Sequence, residues 1–511
     1  MKKCTDFLSS LHQKGVRLWL DDDHIRYRAS KGTLTAKEIA TLQTMRDEIV
    51  DVLKQRKAVA VESSALMQRG SAILAPLTIQ QESIWQGLQR GGLSYLHPSA
   101  LRISGPLSVE LLRRSFEVII RRHDSLRTRI VVVDGVPMQK IDNPYEYQLK
   151  VVNLTGVLEI ETSARVQGVI EEVTNQGCDP AVGPLFDARL IKLAEHKYFL
   201  IWSIHHIVSD GSSSSLIFQE FWLAYSEFLR GQPSPLQAPA MQYADYAVWQ
   251  QKTQRSWLEE HESYWKERLA EAEGIKWPVN GYAPGMKSDA CEEAHIQFGR
   301  ALSSRLREVA PSTGTTLGMT VLTVYVAVVS RWCNQKDFIV ATAVTGRDRS
   351  ELESITGFCA HDLYLRIRLT GEETFMGLLT QVGQEFQSAV LHQDFGRAVV
   401  HTPDFARTLF QWWPWQADDH DGVPKSGVAK NLDITIERYP IEITLKKAGP
   451  FPQYDMMTIF SDTEEGIVGR VGCVASVFTA NAIEHFVQDL RSTAEQLVKN
   501  PYARVATVIG G

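Results

Sequence analysis

The chain has few of the residues that would place it outside the cell, around a metal or in a membrane. Its six cysteines (Cys4, Cys178, Cys291, Cys333, Cys359 and Cys473) include no CxxC pair. Spacing therefore offers neither a metal cage nor a disulfide framework, and they read as reduced thiols of a cytoplasmic protein. No apolar run approaches the roughly 18 residues of a membrane span. The opening MKKCTDFLSSLHQKG turns polar before a signal-peptide core can form. Cationic excess is missing too: 54 Lys and Arg stand against 60 Asp and Glu, a net charge of −6. That excludes the basic field that gathers nucleic acid or anionic lipid.

What is present suffices for a large fold. Of 511 residues, 44% are hydrophobic and 22% charged, a globular balance whose length calls for two or three compact units. Residues 1–57 form one unit, carrying twelve Lys and Arg against eight Asp and Glu in a chain that is negative overall. Phe7, Leu8 and Leu11 fit one face of a short helix. Val16, Leu18 and Leu20 alternate with Arg17 and Trp19, then Ile25 and Tyr27 with Arg26 and Arg28 across an acidic turn, the period-two pattern of a β-hairpin. Thr35 and Glu38 make a capping-box pair that opens a helix lined by Ile39, Leu42, Ile49 and Leu53. Residues 58–76 lose periodicity and read as a linker. Beyond them, helical stretches (108–123, 480–499) alternate with strand-like ones (197–204, 337–343), a mixed α and β architecture of two lobes, expected as 77–254 and 255–511.

The chemistry concentrates at one place. The apolar strand KYFLIWSI delivers His205-His206-Ile207-Val208-Ser209-Asp210-Gly211 to a turn, with four serines following. One reading is a satisfied core histidine pair. The other is an acyl-transfer site: an imidazole of near-neutral pKa accepts a proton from an attacking amine or hydroxyl, while the carboxylate a turn away fixes the backbone through a buried ion pair.

This motif resembles the HHxxxDG signature of condensation domains of nonribosomal peptide synthetases, and seven ordered matches run along nearly all of residues 77 to 500. LTIQQESIW (77–85) is similar to the opening motif, RHDSLRT (122–128) to RHxxLRT and YADYAVW (243–249) to YxDFAVW. Gly346-Arg347, Gly357 to Arg366, His392-Gln393-Asp394 and Leu409-Phe410-Gln411 occupy the later places. Through GVRLW, IRYRA and KGTLT, residues 1–57 resemble the tubulysin-type, or β-hairpin, N-terminal docking domain.

The resemblance implies an α/β (α+β) fold: two chloramphenicol-acetyltransferase-like lobes in a V-shaped pseudo-dimer, preceded by a small α-β-hairpin-α docking domain. It implies that His206 acts as base or positions the nucleophile, that His205 and Asp210 are mainly structural, and that Arg347 pairs with Asp210. It also implies that the Gly211 amide helps stabilise the oxyanion. By the same resemblance no bound cofactor is expected, the acyl chain being carried as a thioester on the phosphopantetheine of a partner carrier protein. Arg17, Trp19, Arg26, Arg28 and Lys31 are the expected docking residues, a basic face for the short acidic C-terminal tail of an upstream carrier.

Departures from the family pattern fall on the acceptor side. Ser212 stands where tryptophan often follows the motif glycine, and His361 and Asp362 stand where Asn and Thr are usual. Trp412 and Trp413 either line an acyl channel between the lobes or pack. Asp418, Asp419, His420 and Asp421 read as a solvated loop, and no metal is expected. No DxxxxD replaces the motif, which argues against heterocyclisation, and RHDSLRT fits an epimerisation domain poorly. The expectation is a monomeric, free-standing condensation enzyme that forms an amide or ester with a soluble or carrier-bound acceptor, a reaction that can serve as chain release. A non-catalytic carrier-recruiting adaptor and the N-terminal part of a larger synthetase are the alternatives.

Overall fold

Strands form where apolar residues alternate or run unbroken, and most of them gather into two sheets. The computed structural model describes residues 17–21, 24–28, 36–46, 48–50, 73–89, 96–175, 179–277, 291–347, 349–393, 406–413, 434–439, 454–463 and 465–509. The helix expected at residues 7–11, Lys31 and the acidic run 418–421 lie outside them. β1 (Arg17–Asp21) and β2 (His24–Arg28) make the expected hairpin, with Leu18 paired to Tyr27 and Leu20 to Ile25. Helix α1 (Ala36–Thr44) follows, and Leu42 and Ile49 are buried.

The next segment runs β3 (Leu74–Pro76), α2 (Ile79–Gln89), β4 (Leu96–Ser104), α3 (Val109–Arg122), β5 (Thr128–Val133), β6 (Val136–Ile141), β7 (Lys150–Asn153), α4 (Glu159–Asn175), β8 (Phe186–Ala194), β9 (Lys197–His205), α5 (Gly211–Leu229) and α6 (Tyr243–Leu269). Here β3 corrects the expected linker: residues 74–76 pair antiparallel with β6 in a small sheet ordered β3-β6-β5. Three residues carry no period, so only the partner strand makes them sheet.

The central strand β9 explains its own unbroken apolar run. Tyr198, Leu200, Trp202 and Ile204 face one core, shared with Phe116 and Ile120 of α3 and Phe218, Phe221 and Trp222 of α5. Phe199 and Ile201 face the other side, under Val166, Ile170 and Val173 of α4. A sheet covered on both faces needs apolar residues at both parities. At a coefficient of about 25 cal/mol per Å² of apolar surface removed from water, these two layers are the main source of stability here.

The remaining strands and helices are β10 (Cys291–Gln297), α7 (Gly299–Val309), α8 (Leu317–Cys333), β11 (Asp337–Val344), β12 (His361–Arg368), α9 (Phe375–Val390), β13 (Thr408–Trp413), β14 (Thr435–Tyr439), β15 (Met456–Thr463), β16 (Gly466–Val474), α10 (Ala480–Lys499) and α11 (Val505–Ile509). The second sheet is ordered β10-β16-β15-β13-β11-β12, and its core centres on α8, where Val321 to Val329 includes hardly an exposed atom. The first sheet is ordered β14-β4-β9-β8-β7, so a strand from the second half completes the first half's sheet. Ile436 of β14 pairs with Ile103 of β4.

The lobe boundary expected between residues 254 and 255 falls inside α6, a 27-residue helix. Its Trp249 packs in the first core and its Trp265 in the second. One helix serves both halves, so no break in pattern marks the division. Among the described residues no helix is long and apolar enough to cross a membrane.

Candidate active site

The two histidines stand at the end of β9, where the strand gives way to a tight turn at residues 206–208. His205 is fully buried, and its Nδ1 accepts the Ile207 amide at 3.0 Å, capping that turn. Since Nδ1 accepts, the neutral ring carries its proton on Nε2, which is buried without a hydrogen-bond partner among the described residues. Burial, with His206 beside it, lowers its pKa to about 3. His205 is therefore a neutral structural group at physiological pH.

His206 has the opposite tautomer. Its Nδ1 lies 2.6 Å from the Ser209 carbonyl, which only accepts, so Nδ1 carries the proton and the neutral ring keeps its lone pair on Nε2. The turn beneath is held from α2: Gln81 Nε2 donates to the Ile207 carbonyl at 3.0 Å, and Gln81 Oε1 accepts the Thr78 amide at 3.1 Å. Phe358 closes one side of the imidazole, with ring centroids 4.3 Å apart.

Asp210 caps α5, its Oδ1 accepting from the Ser213 amide at 2.8 Å, as helix entry favours for a short acidic side chain. The same carboxylate receives Arg347 from both sides of the fork, Nη1 to Oδ2 at 2.6 Å and Nη2 to Oδ1 at 3.0 Å, together with the Cys359 amide at 3.0 Å. Burial pushes the carboxyl upward, but the Arg347 charge and the bonds from Arg347 and Ser213 outweigh it and hold the group ionised. Burial alone would lower the guanidinium, and Asp210 raises it. Asp210 and Arg347, expected as partners, are thus brought together.

Ser213 gives no signal of its own among four consecutive serines. Its Oγ lies 2.8 Å from Asp210 Oδ1, 2.8 Å from the Gly357 carbonyl and 3.0 Å from Arg347 Nη2, and it accepts the Gly357 amide at 2.9 Å. Gly211 opens α5 and is exposed; a Cβ there would meet nothing within 4 Å. Ser212 is half-buried beside it.

On the expected acceptor side, His361 is buried at the start of β12, with Gln80 Nε2 at 3.0 Å from Nδ1 and 3.2 Å from Nε2. Gln250 Nε2 in turn donates to Gln80 Oε1 at 3.3 Å. Asp362 accepts from the Tyr454 hydroxyl at 3.1 Å. Sequence reasoning misses Gln80, Gln81 and Gln250 as site residues, although Gln80 and Gln81 lie within the opening motif. Trp412 packs against the second core, resting on Gly318, where a Cβ would come within 2.7 Å of its ring. Trp413 is 42% exposed. Of the docking residues, Arg17 pairs with Arg28 and Trp19 with Arg26 in the hairpin register.

The other motif places build the frame. In RHDSLRT, Arg122 Nε and His123 Nε2 converge on Glu220 Oε2 at 2.9 and 2.6 Å, tying α3 to α5. Ser125 Oγ meets Thr356 Oγ1 at 2.7 Å. His392 stacks on Tyr264 and lies 2.7 Å from His261, Nδ1 to Nδ1. Cys359 is buried, its thiol pushed up to about 12, which leaves no thiolate for chemistry. No group of three or more candidate metal ligands occurs among the described residues.

Comparison with known proteins places this geometry. A family model described as a condensation domain matches residues 73–509, and one described as a TubC N-terminal docking domain matches residues 4–55. Tyrocidine synthase 3 of Brevibacillus parabrevis is 30% identical over 422 residues, 82% of this chain. The chain spans only 6% of that synthase's length. Among solved structures, the X-domain from teicoplanin biosynthesis matches with a TM-score of 0.74 and 20% identity, over 86% of this chain and 98% of that one. The EpoB cyclization-docking bidomain of Sorangium cellulosum matches with 0.69 and 18%, over 98% and 99%. At such identities the structural likeness speaks for the fold alone.

Proposed function

Because the chain belongs to the condensation-domain family of nonribosomal peptide synthetases, we propose that it transfers an acyl chain from a carrier-protein phosphopantetheine thioester to an amine or hydroxyl acceptor. The observation that carries this reading is the fixed tautomer of His206, whose Nδ1 is committed to the Ser209 carbonyl and whose Nε2 keeps the basic lone pair.

In this reading His206 Nε2 takes the proton of the acceptor as its nitrogen or oxygen attacks the thioester carbonyl. The oxyanion that forms meets the N-terminal end of α5, including the Gly211 amide. Collapse expels the pantetheine thiolate, which recovers the proton from His206. The products are an amide or ester and a free carrier thiol. Asp210, Arg347, Ser213 and His205 hold the turn and touch no substrate.

The acceptor is proposed to be a soluble small molecule, so that transfer releases the finished chain. What supports this is the departure at His361 and Asp362, which stand where the family pattern has Asn and Thr and so speak against an ordinary carrier-bound aminoacyl acceptor. The docking-domain match and the arginines of β1 and β2 support recruitment of an upstream carrier through an acidic tail. The chemistry is the same whether the chain acts alone or opens a longer synthetase. The X-domain of teicoplanin biosynthesis has been solved in complex with OxyB, and that likeness supports a second reading, a recruiting adaptor without chemistry.

One assay separates them. A loaded donor carrier is incubated with the protein and a panel of amines and alcohols, and intact mass follows loss of the acyl chain. Transfer that falls roughly 100-fold or more in His206→Ala, with folding intact, is the expected result. Equal transfer by wild type and variant refutes the base assignment, and no transfer to any acceptor favours the adaptor.

A further inference from the structure

The segment Gly357-Phe358-Cys359 belongs to the second half of the chain but is bonded, group by group, to the first. The Gly357 amide and carbonyl both meet Ser213 Oγ, at 2.9 and 2.8 Å. The Phe358 carbonyl accepts from the Tyr243 hydroxyl at 2.7 Å, and the Cys359 amide donates to Asp210 Oδ2 at 3.0 Å. The strip lies so close to α6 that a Cβ at Gly357 would come within 2.1 Å of the Tyr243 ring. Phe358 itself is buried in the first core, among Ile207, Val208 and Ile355.

This anchoring sets one side chain against the base. The hydrogen bond from Nδ1 to Ser209 fixes one direction of the His206 ring but does not by itself stop rotation about that axis. The Phe358 ring, tilted 46° at 4.3 Å, occupies the space into which the imidazole would turn. We propose that Phe358 is a positioning residue for acyl transfer: it keeps His206 Nε2 aimed, and its own place depends on Ser213, Asp210 and Tyr243 gripping the strip. The proposal rests on the reading of His206 as the base.

Phe358→Ala removes the wall, Phe358→Leu keeps most of the volume without the flat face, and Phe358→Tyr restores it. Expected is a fall in kcat of about 10- to 100-fold in the Ala variant, the scale of misplacing a reacting group by about an ångström. The donor-carrier KM should stay within about twofold, Leu should fall between, and Tyr should recover most of the rate. Aromatic ¹³C relaxation of the His206 Cε1–H in the resting protein should show a rigid ring in the wild type and the Tyr variant and increased ring motion in the Ala and Leu variants, with Nδ1 protonated throughout. Unchanged ring order in the Ala variant overturns the proposal. So does a loss confined to KM that grows with acyl length, which would make Phe358 a contact of the acyl chain. Should Phe358→Ala fail to fold, Phe358→Leu decides by the same measures. The spectrum needs no turnover, so a failure of the base assignment leaves it interpretable and the two failures are told apart.

Discussion

The Asp210–Arg347 pair offers the most quantitative test of the site. Asp210 and Arg347 have side chains only 4% and 7% exposed, and the carboxylate gathers both ends of the guanidinium, Ser213 and the Cys359 amide. Arg347→Ala leaves a buried anion with the Ser213 and Cys359 donors alone. Asp210→Ala leaves a buried cation and strips α5 of its cap. Removing one member of a buried pair typically costs about 3–5 kcal/mol, and a lost cap adds about 1 kcal/mol. Against a whole-domain stability of about 5–15 kcal/mol, either variant should unfold at far lower urea, read by tryptophan fluorescence. Because each single variant carries the penalty of a stranded charge, the double variant should lose less than the sum by about 1–3 kcal/mol. The acid limb should respond as well. Asp210 titrates below its ordinary value when folded, so its contribution is complete above the unfolded carboxyl pKa of about 3.9 and disappears as pH falls below that. Asp210→Ala should therefore flatten stability in that range. Strictly additive losses, or an unchanged acid limb, would refute the argument.

Further outcomes follow from single contacts. Burial and His206 lower His205 to about 3, whereas an unfolded histidine titrates near 6.5; its stabilising contribution is full above about 6.5 and is lost as pH falls toward 3. His205→Asn supplies an acceptor for the Ile207 amide but cannot titrate, so thermal melts should show a shallower decline over that window; an unchanged decline assigns it to other groups. Gly346 has φ near +63°, and a Cβ there would lie 1.9 Å from the Cys359 carbonyl oxygen. Gly346→Ala should thus destabilise by well over the about 1–2 kcal/mol of left-handed strain alone, and a loss within that range in urea titration would mean the strip gives way cheaply. Deleting residues 1–57 should sharply weaken turnover of a loaded carrier, while a small soluble acyl thioester reacts almost as before. Equal losses for both donors would show that the segment supports the catalytic fold.

Much of the local structure is legible in the sequence because it is local. The alternation around Leu18 and Tyr27 is a hairpin wherever it occurs, and the 3.6-residue period of 480–499 carries its own helix. The position of His206 at a strand end follows from KYFLIWSI. Its tautomer does not, since that depends on a carbonyl three residues on. Ser213 is hidden because four serines in a row look interchangeable until one of them meets Gly357, 144 positions away. Gln80 meets His361 across 281 positions, and no spacing rule spans such distances. β3 is too short for periodicity, and α6 conceals the division between halves because one continuous helix runs across it.

The crossing of β14 bears on how the protein is made. Ile103 of β4 waits for Ile436, and translation at about 5–20 residues per second puts roughly 15–70 s between the two. For the last part of that interval, about 12–46 s after β9 ends at residue 205, β4 presents an open edge on a sheet that lacks only β14, a ready template for pairing with another nascent chain. The order of synthesis thus works against the order of assembly. A ribosome-bound chaperone, or slow passage through the first half, would protect the edge, and a recombinant chain ending before residue 434 should aggregate even though nearly all of its first core is present.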